Sequence, residues 1–123
     1  MAHVLVVDDE LLIRWSLREV LADHGYSVTE AADGQSAIRS LTDGDGSPDV
    51  VLLDYRLPDS SDLVLLATIR KLAPQAHVIL MTAYGTPEVT KGALDLGAYR
   101  VVGKPFEVQD VAALVQEAND SPP

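Results

Sequence analysis

The sequence contains no cysteine, which excludes disulfides, thiolate metal sites and cysteine nucleophiles and accords with a reducing, cytoplasmic setting. Long apolar runs are missing too. None exceeds five residues, the length of Leu63 to Ala67, where a membrane-spanning helix needs about 20. No basic-then-apolar leader follows Met1, so no secretory signal is expected. Cations are scarce: nine Lys and Arg against 19 Asp and Glu leave a net charge of −10, a field that repels nucleic acid. Phosphate-binding glycine loops are absent as well. After the first strand-like run the chain reads Asp-Asp-Glu-Leu-Leu at 8–12, with neither G-x-G-x-x-G nor a Walker pattern, which argues against a dinucleotide or nucleoside-triphosphate site. What is present suits one globular domain. The 123 residues are 47% apolar and 23% charged, enough to bury an ordinary core.

Short β-rich runs punctuate the chain: Val4 to Val7, Ser27 to Ala31, Val50 to Leu53, Val78 to Met81 and the weaker Val101-Val102. Their starts, at 4, 27, 50, 78 and 101, lie 23 to 28 residues apart, the length of a strand plus a helix with short loops. Between them the apolar period becomes helical: Ile13, Leu17, Val20 and Leu21; Leu65, Leu66, Ile69 and Leu72; Val111, Leu114, Val115 and Ala118. Gly25 and Gly97 suit helix C-termini, Thr86-Pro87 suits an N-terminus, and Asp43 to Pro48 reads as a loop. The weakest helix signal is Gly34 to Leu41, diluted by Ser36 and Ser40. Asn119 to Pro123 resists helix and reads as the start of a linker, leaving 1–118 as the folded unit.

Alternating βα units predict a parallel sheet with helices on both faces. Continuous apolar strands are central and diluted ones are edges. That assigns an α/β doubly wound five-stranded sheet of order 2-1-3-4-5, a flavodoxin-like (βα)5 arrangement whose ligands bind beyond the carboxyl ends of the strands. Asp8, Asp9, Asp54, Thr82 and, after Gly103, Lys104 all stand there. Singly, each has a plainer role: Asp9 could cap the first helix, and Asp54 could open a turn. Jointly, three converging carboxylates repel one another, and a hard divalent cation resolves the repulsion. Oxygen donors without imidazole or thiolate favour magnesium over zinc. Magnesium beside a carboxylate, a lysine and a hydroxyl is equipped for phosphoryl transfer, whereas a purely metal-binding site leaves Lys104 unexplained.

Val-Val-Asp-Asp-Glu at 6–10, Leu-Leu-Asp-Tyr-Arg-Leu-Pro at 52–58, Met-Thr-Ala-Tyr-Gly at 81–85 and Gly-Lys-Pro-Phe at 103–106 resemble the signature of two-component response-regulator receiver domains. The likeness runs from His3 to Ala118 in order and spacing. It implies that Asp54 is the phosphoacceptor and that Asp9 binds magnesium directly, with Asp8 beside it. By the same likeness the Arg56 backbone carbonyl completes the metal shell, Thr82 and Lys104 meet the phosphoryl group, and the Lys104-Pro105 bond is cis. It further implies a cytoplasmic signalling switch, not a metabolic enzyme, with limited self-catalysed phosphotransfer and dephosphorylation. Its phosphoryl donor would be a histidine kinase, and an output domain would follow the receiver. The wording around Asp54 and Thr82 resembles receivers of sigma-54-dependent enhancer-binding regulators, which implies an ATPase plus a DNA-binding domain beyond this segment and transcription regulation as the outcome. A second copy of the chain is a further candidate partner.

Two positions depart from that pattern. Val101 stands where a switch aromatic is common, with Tyr99 two residues earlier; their alternation along a strand predicts a shared, partner-facing side for both. Asp62 stands where glycine is common. A haloacid-dehalogenase-like phosphatase expects a second aspartate where this chain has Arg56, and a flavin-binding module expects a Ser/Thr/Gly phosphate loop that is missing. A degenerate receiver would lack members of the acidic and lysine set. His3, His24 and His77 read as surface residues and not as a ligand set, and Trp15 reads as partly packed.

Overall fold

Residues 2–44, 47–60, 62–83 and 85–122 are described by the computed structural model. Asp45 and Gly46 of the expected loop, Tyr84 of the fourth-strand motif and Pro123 of the tail lie outside them. The five strands are β1 (His3–Val7), β2 (Ser27–Ala31), β3 (Val50–Asp54), β4 (His77–Thr82) and β5 (Arg100–Gly103). Five helices alternate with them: α1 (Leu11–Asp23), α2 (Gly34–Asp43), α3 (Val64–Leu72), α4 (Pro87–Asp95) and α5 (Val108–Asn119). The sheet is parallel throughout, in the order β2-β1-β3-β4-β5.

Burial follows the apolar code of the strands. All five residues of β3 are buried, as are Val4 to Val7 and Val78 to Thr82, whereas the edge strands β2 and β5 are half covered. Alternate residues feed two cores. Val4, Val6, Val50, Leu52, Ile79 and Met81 meet Leu17 and Leu21 of α1 and Val111 and Val115 of α5. Leu5, Val7, Val51, Leu53, Val78 and Leu80 meet α2, α3 and α4 through Ala37, Leu66, Ile69 and Ala93. Because paired residues in register face the same side, these two sets close a three-layer sandwich and leave the strand ends to converge at one edge.

Local signals set the helix limits. Thr86 caps α4 by accepting the Val89 N–H, with Pro87 in the first turn. Asp33 caps α2 by accepting the Ser36 N–H, and that hydrogen bond holds its carboxyl below the usual range. Gly25 and Gly97 follow α1 and α4 with φ of +88° and +98°, where a side chain would be strained. At the start of α3 the unusual Asp62 is accommodated by accepting the Val64 N–H at 3.0 Å.

Three expectations need correction. Asn119 is the last residue of α5, and Ser121 beyond it accepts from His77 Nε2 through its carbonyl at 3.3 Å, so this part of the tail is tied to the domain. Trp15 is 57% exposed, on the side of α1 away from Leu17 and Leu21. His24 is at the surface, but His3 and His77 are half-buried; His3 Nε2 lies 2.7 Å from Thr29 Oγ1. None of the three reaches the acidic cluster.

Candidate functional site

Where β1 ends, the backbone leaves the sheet through Asp8 and Asp9 before α1 begins. Where β3 ends, Asp54 is the last strand residue, and β4 likewise ends on Thr82. These carboxyl ends stand side by side because β1, β3 and β4 are adjacent. One carboxylate oxygen from each of Asp8, Asp9 and Asp54 falls within a 4.8 Å group. Asp8 is fully buried, Asp54 is 7% exposed and Asp9 is open to solvent.

Lys104, delivered by the turn after β5, reaches into the acidic pocket. Its Nζ donates to Asp8 Oδ2 at 2.8 Å and lies 3.2 Å from Asp54 Oδ2. Its own backbone N–H donates to the Thr82 carbonyl at 2.8 Å, which joins the two loops, and the Lys104-Pro105 bond is cis. Burial works against the lysine's charge, but the hydrogen bond and charge of Asp8, with those of Asp54, raise its pKa above the ordinary value. Asp54 moves the other way from a typical paired carboxylate. Burial and the negative charge of Asp8 push its pKa up to about 6, against the opposing pull of Lys104 and of the Arg56 N–H.

Asp8 and Asp54 differ in access. Asp8 is spent on internal partners: its Oδ1 accepts the Glu10 N–H at 2.9 Å and its Oδ2 accepts from Lys104. Asp54 instead lines an open cleft of about 260 Å³ with Asp9, Glu10, Arg56, Thr82, Ala83 and Lys104. The arrangement therefore sets the Asp54 carboxylate at the cleft, flanked by an ammonium and a buried hydroxyl. An all-oxygen trio suits a hard divalent cation.

Five side chains singled out from the sequence, Asp8, Asp9, Asp54, Thr82 and Lys104, converge here, and Arg56 lines the same cleft. Tyr99 and Val101 do not meet at one face. Val101 packs toward α3 and α4, whereas Tyr99 packs toward α5 with Val102. The reason is that β5 begins only at Arg100, so strand alternation does not extend back to Tyr99. The Tyr99 ring lies 5.1 Å from that of His77, and the Arg100 guanidinium sits 5.1 Å from its centroid. Two neighbours of the site carry no role in the sequence reading. Glu10, third in the acidic run, lines the cleft with Oε1 3.9 Å from Lys104 Nζ. Arg14 donates to the Asp8 backbone carbonyl at 2.7 Å.

Comparison with known proteins agrees with this geometry. Residues 4–116 match the family model for the response regulator receiver domain. The DNA-binding transcriptional regulator NtrC of Escherichia coli (strain K12) is 36% identical over 115 residues, covering 94% of this chain but 24% of NtrC. Sporulation initiation phosphotransferase F of Bacillus subtilis is 33% identical over 114 residues, covering 93% of this chain and 90% of that protein. Among solved structures, the receiver domain of NtrX from Brucella abortus superposes with a TM-score of 0.84 at 32% identity, covering 96% of this chain and 98% of that one. The chain thus spans about a quarter of the NtrC-type relatives, and the NtrC and NtrX likeness is consistent with receivers of sigma-54-dependent enhancer-binding regulators. By its family match, its fold and its signature residues, the chain belongs to the response-regulator receiver domains of two-component signalling.

Proposed function

We propose that this receiver takes a phosphoryl group from the phosphohistidine of a histidine kinase onto Asp54. A carboxylate oxygen of Asp54 attacks phosphorus, the P–N bond to the kinase histidine breaks, and the imidazole leaves with the electron pair and takes up a proton. The observation that carries this reading is the placement of Asp54, which lines the cleft at the carboxyl edge of the sheet, grouped with Asp8 and Asp9 and 3.2 Å from Lys104 Nζ. Asp8, Asp9, Asp54 and the Arg56 carbonyl would hold magnesium, which when bound offsets the negative charge that otherwise repels an anionic donor. Lys104 supplies positive charge for the phosphoryl oxygens, and Thr82 offers them its hydroxyl. Thr82 ends β4 and Lys104 follows the adjacent β5, so engaging them shifts the surface around β4 and β5.

The receiver acts as a cytoplasmic switch with limited self-catalysed phosphotransfer and dephosphorylation. The switching unit runs through α5 to Asn119, and the residues beyond it would begin the connection to an output domain. The NtrC and NtrX likeness supports an output made of a sigma-54-type ATPase and a DNA-binding domain, acting in transcription regulation, with a homodimer as one form of the assembly. Among the described residues no helix is long and apolar enough to cross a membrane.

The test is intact mass after incubation with acetyl phosphate. Wild type with magnesium gains one phosphoryl adduct, and Asp54→Asn gains none. An adduct that persists in Asp54→Asn, or forms equally in chelator, refutes the assignment.

A further inference from the structure

Arginine is out of place near a helix N-terminus, where the helix dipole disfavours a cation. Arg14 nevertheless sits in the first turn of α1 with its side chain only 15% exposed. Two contacts hold it. Nη1 donates to the Asp8 carbonyl at 2.7 Å, and Nε faces Glu30 Oε1 of β2 at 3.3 Å. The planar fork of arginine is what allows one side chain to serve both partners. If the pair merely tied α1 to β2, Arg18 would suffice, since its Nη1 meets Glu30 Oε2 at 2.7 Å. Only Arg14 extends from that pair to the acidic loop.

The loop it reaches is also held through the Asp8 N–H and the Asp8 carboxylate. The Asp8 N–H donates to the Ala31 carbonyl at 3.1 Å, and its carboxylate accepts from the Glu10 N–H and from Lys104. The Asp8–Asp9 peptide between these anchors carries the exposed Asp9 carboxylate, and its carbonyl, that of Asp8, accepts from Arg14. The Arg14 bond therefore adds a restraint on the orientation of that peptide, from the side of α1. Glu30 meanwhile offsets the arginine's charge, so the brace does not itself repel a cation.

From this we infer that Arg14, held in place by Glu30, is a positioning residue that aims the Asp8 and Asp9 carboxylates at the divalent cation. The inference rests on the proposed function for the identity of that cation. Groups that orient metal ligands from behind are typically worth about 10–100-fold in metal affinity.

The experiment is magnesium titration of the unphosphorylated chain by calorimetry and by amide NMR shifts, with circular dichroism melts in parallel. Arg14→Ala is expected to weaken magnesium binding about tenfold or more and to move the Asp9 and Glu10 amides. Arg14→Lys, which can still donate to the carbonyl but has no second arm, recovers part of the loss. Arg18→Ala, which cuts the pair with Glu30 but not the reach to Asp8, binds as wild type. Should Arg14→Ala fail to fold, Arg14→Lys against Arg18→Ala decides: equal affinities overturn the inference. A lowered melting temperature with unchanged magnesium affinity in Arg14→Ala also overturns it and leaves the proposed function standing. A wild-type chain that binds no magnesium refutes the proposed function and removes this inference with it.

Discussion

Asp54 is the residue whose environment departs furthest from that of a free side chain, and the departure has a thermodynamic consequence. Its pKa in the folded chain is raised to about 6 by burial and by Asp8. An unfolded aspartate titrates near ~3.9, so between those values the folded state holds a proton that the unfolded state has released. Stability from this group is fully present below the unfolded pKa and is lost as pH rises through the folded one. In chelator, the unfolding free energy of wild type from urea titration should therefore fall relative to that of Asp54→Asn as pH goes from about 4 to about 7, by at most about 3 kcal/mol. Magnesium, binding only the folded state, should restore the loss near neutral pH. A wild-type minus variant difference that stays level across the range contradicts the burial argument. The five site side chains were legible in the sequence because each sits at a strand end, a place that periodicity can locate. Glu10 and Arg14 were not, because their roles depend on where a long side chain lands after folding, which no local pattern encodes.

At the scale of elements, α1 carries two apolar stripes. Leu17, Val20 and Leu21 face the sheet, as their spacing predicts. Leu11, Leu12 and Trp15 form the second stripe, at 68%, 75% and 57% exposure. The stripe adjoins an apolar cavity of about 490 Å³ whose lining includes Leu12, Ile13 and Phe106 and shares Glu10, Ala83 and Lys104 with the cleft over Asp54. Reading one period per helix hid it: Trp15 falls outside the inward stripe and was expected to be partly packed. An exposed apolar surface beside Asp54, the proposed phosphoacceptor, suits a protein donor more than a small one. Leu12→Asp should lower the rate of phosphoryl transfer from the cognate kinase by about tenfold, the effect of removing one interface anchor of 1–2 kcal/mol. The same variant should be phosphorylated by acetyl phosphate as wild type is. Equal losses with both donors would mean that the substitution damages the site itself.

For the molecule as a whole, the two helical layers should respond independently, because each packs on its own face of the sheet. Sheet order was readable from strands buried on both faces. The shared side expected for Tyr99 and Val101 was not, because alternation was carried past the start of β5. Tyr99 belongs with α5 and the chain's exit: its hydroxyl lies 3.5 Å from Ser121 Oγ, its ring meets His77, and the Arg100 that covers it pairs with Glu117 at 3.6 Å. Val101 belongs with α4, packing in the same core as Val89 and Ala93. Val101→Ala removes two half-buried methyl groups, about 1 kcal/mol, and should speed hydrogen exchange in α4 while leaving residues 117–122 as they were. Tyr99→Ala should do the reverse, loosening the α5 end and the Ser121 contacts with little change in α4. If an output domain is joined beyond residue 122, phosphorylation-dependent activation should be more sensitive to Tyr99→Ala where the signal leaves through that connection, and to Val101→Ala where it leaves through the α4 surface. Identical exchange patterns in the two variants would contradict the separation of the layers and return both residues to a single switching face.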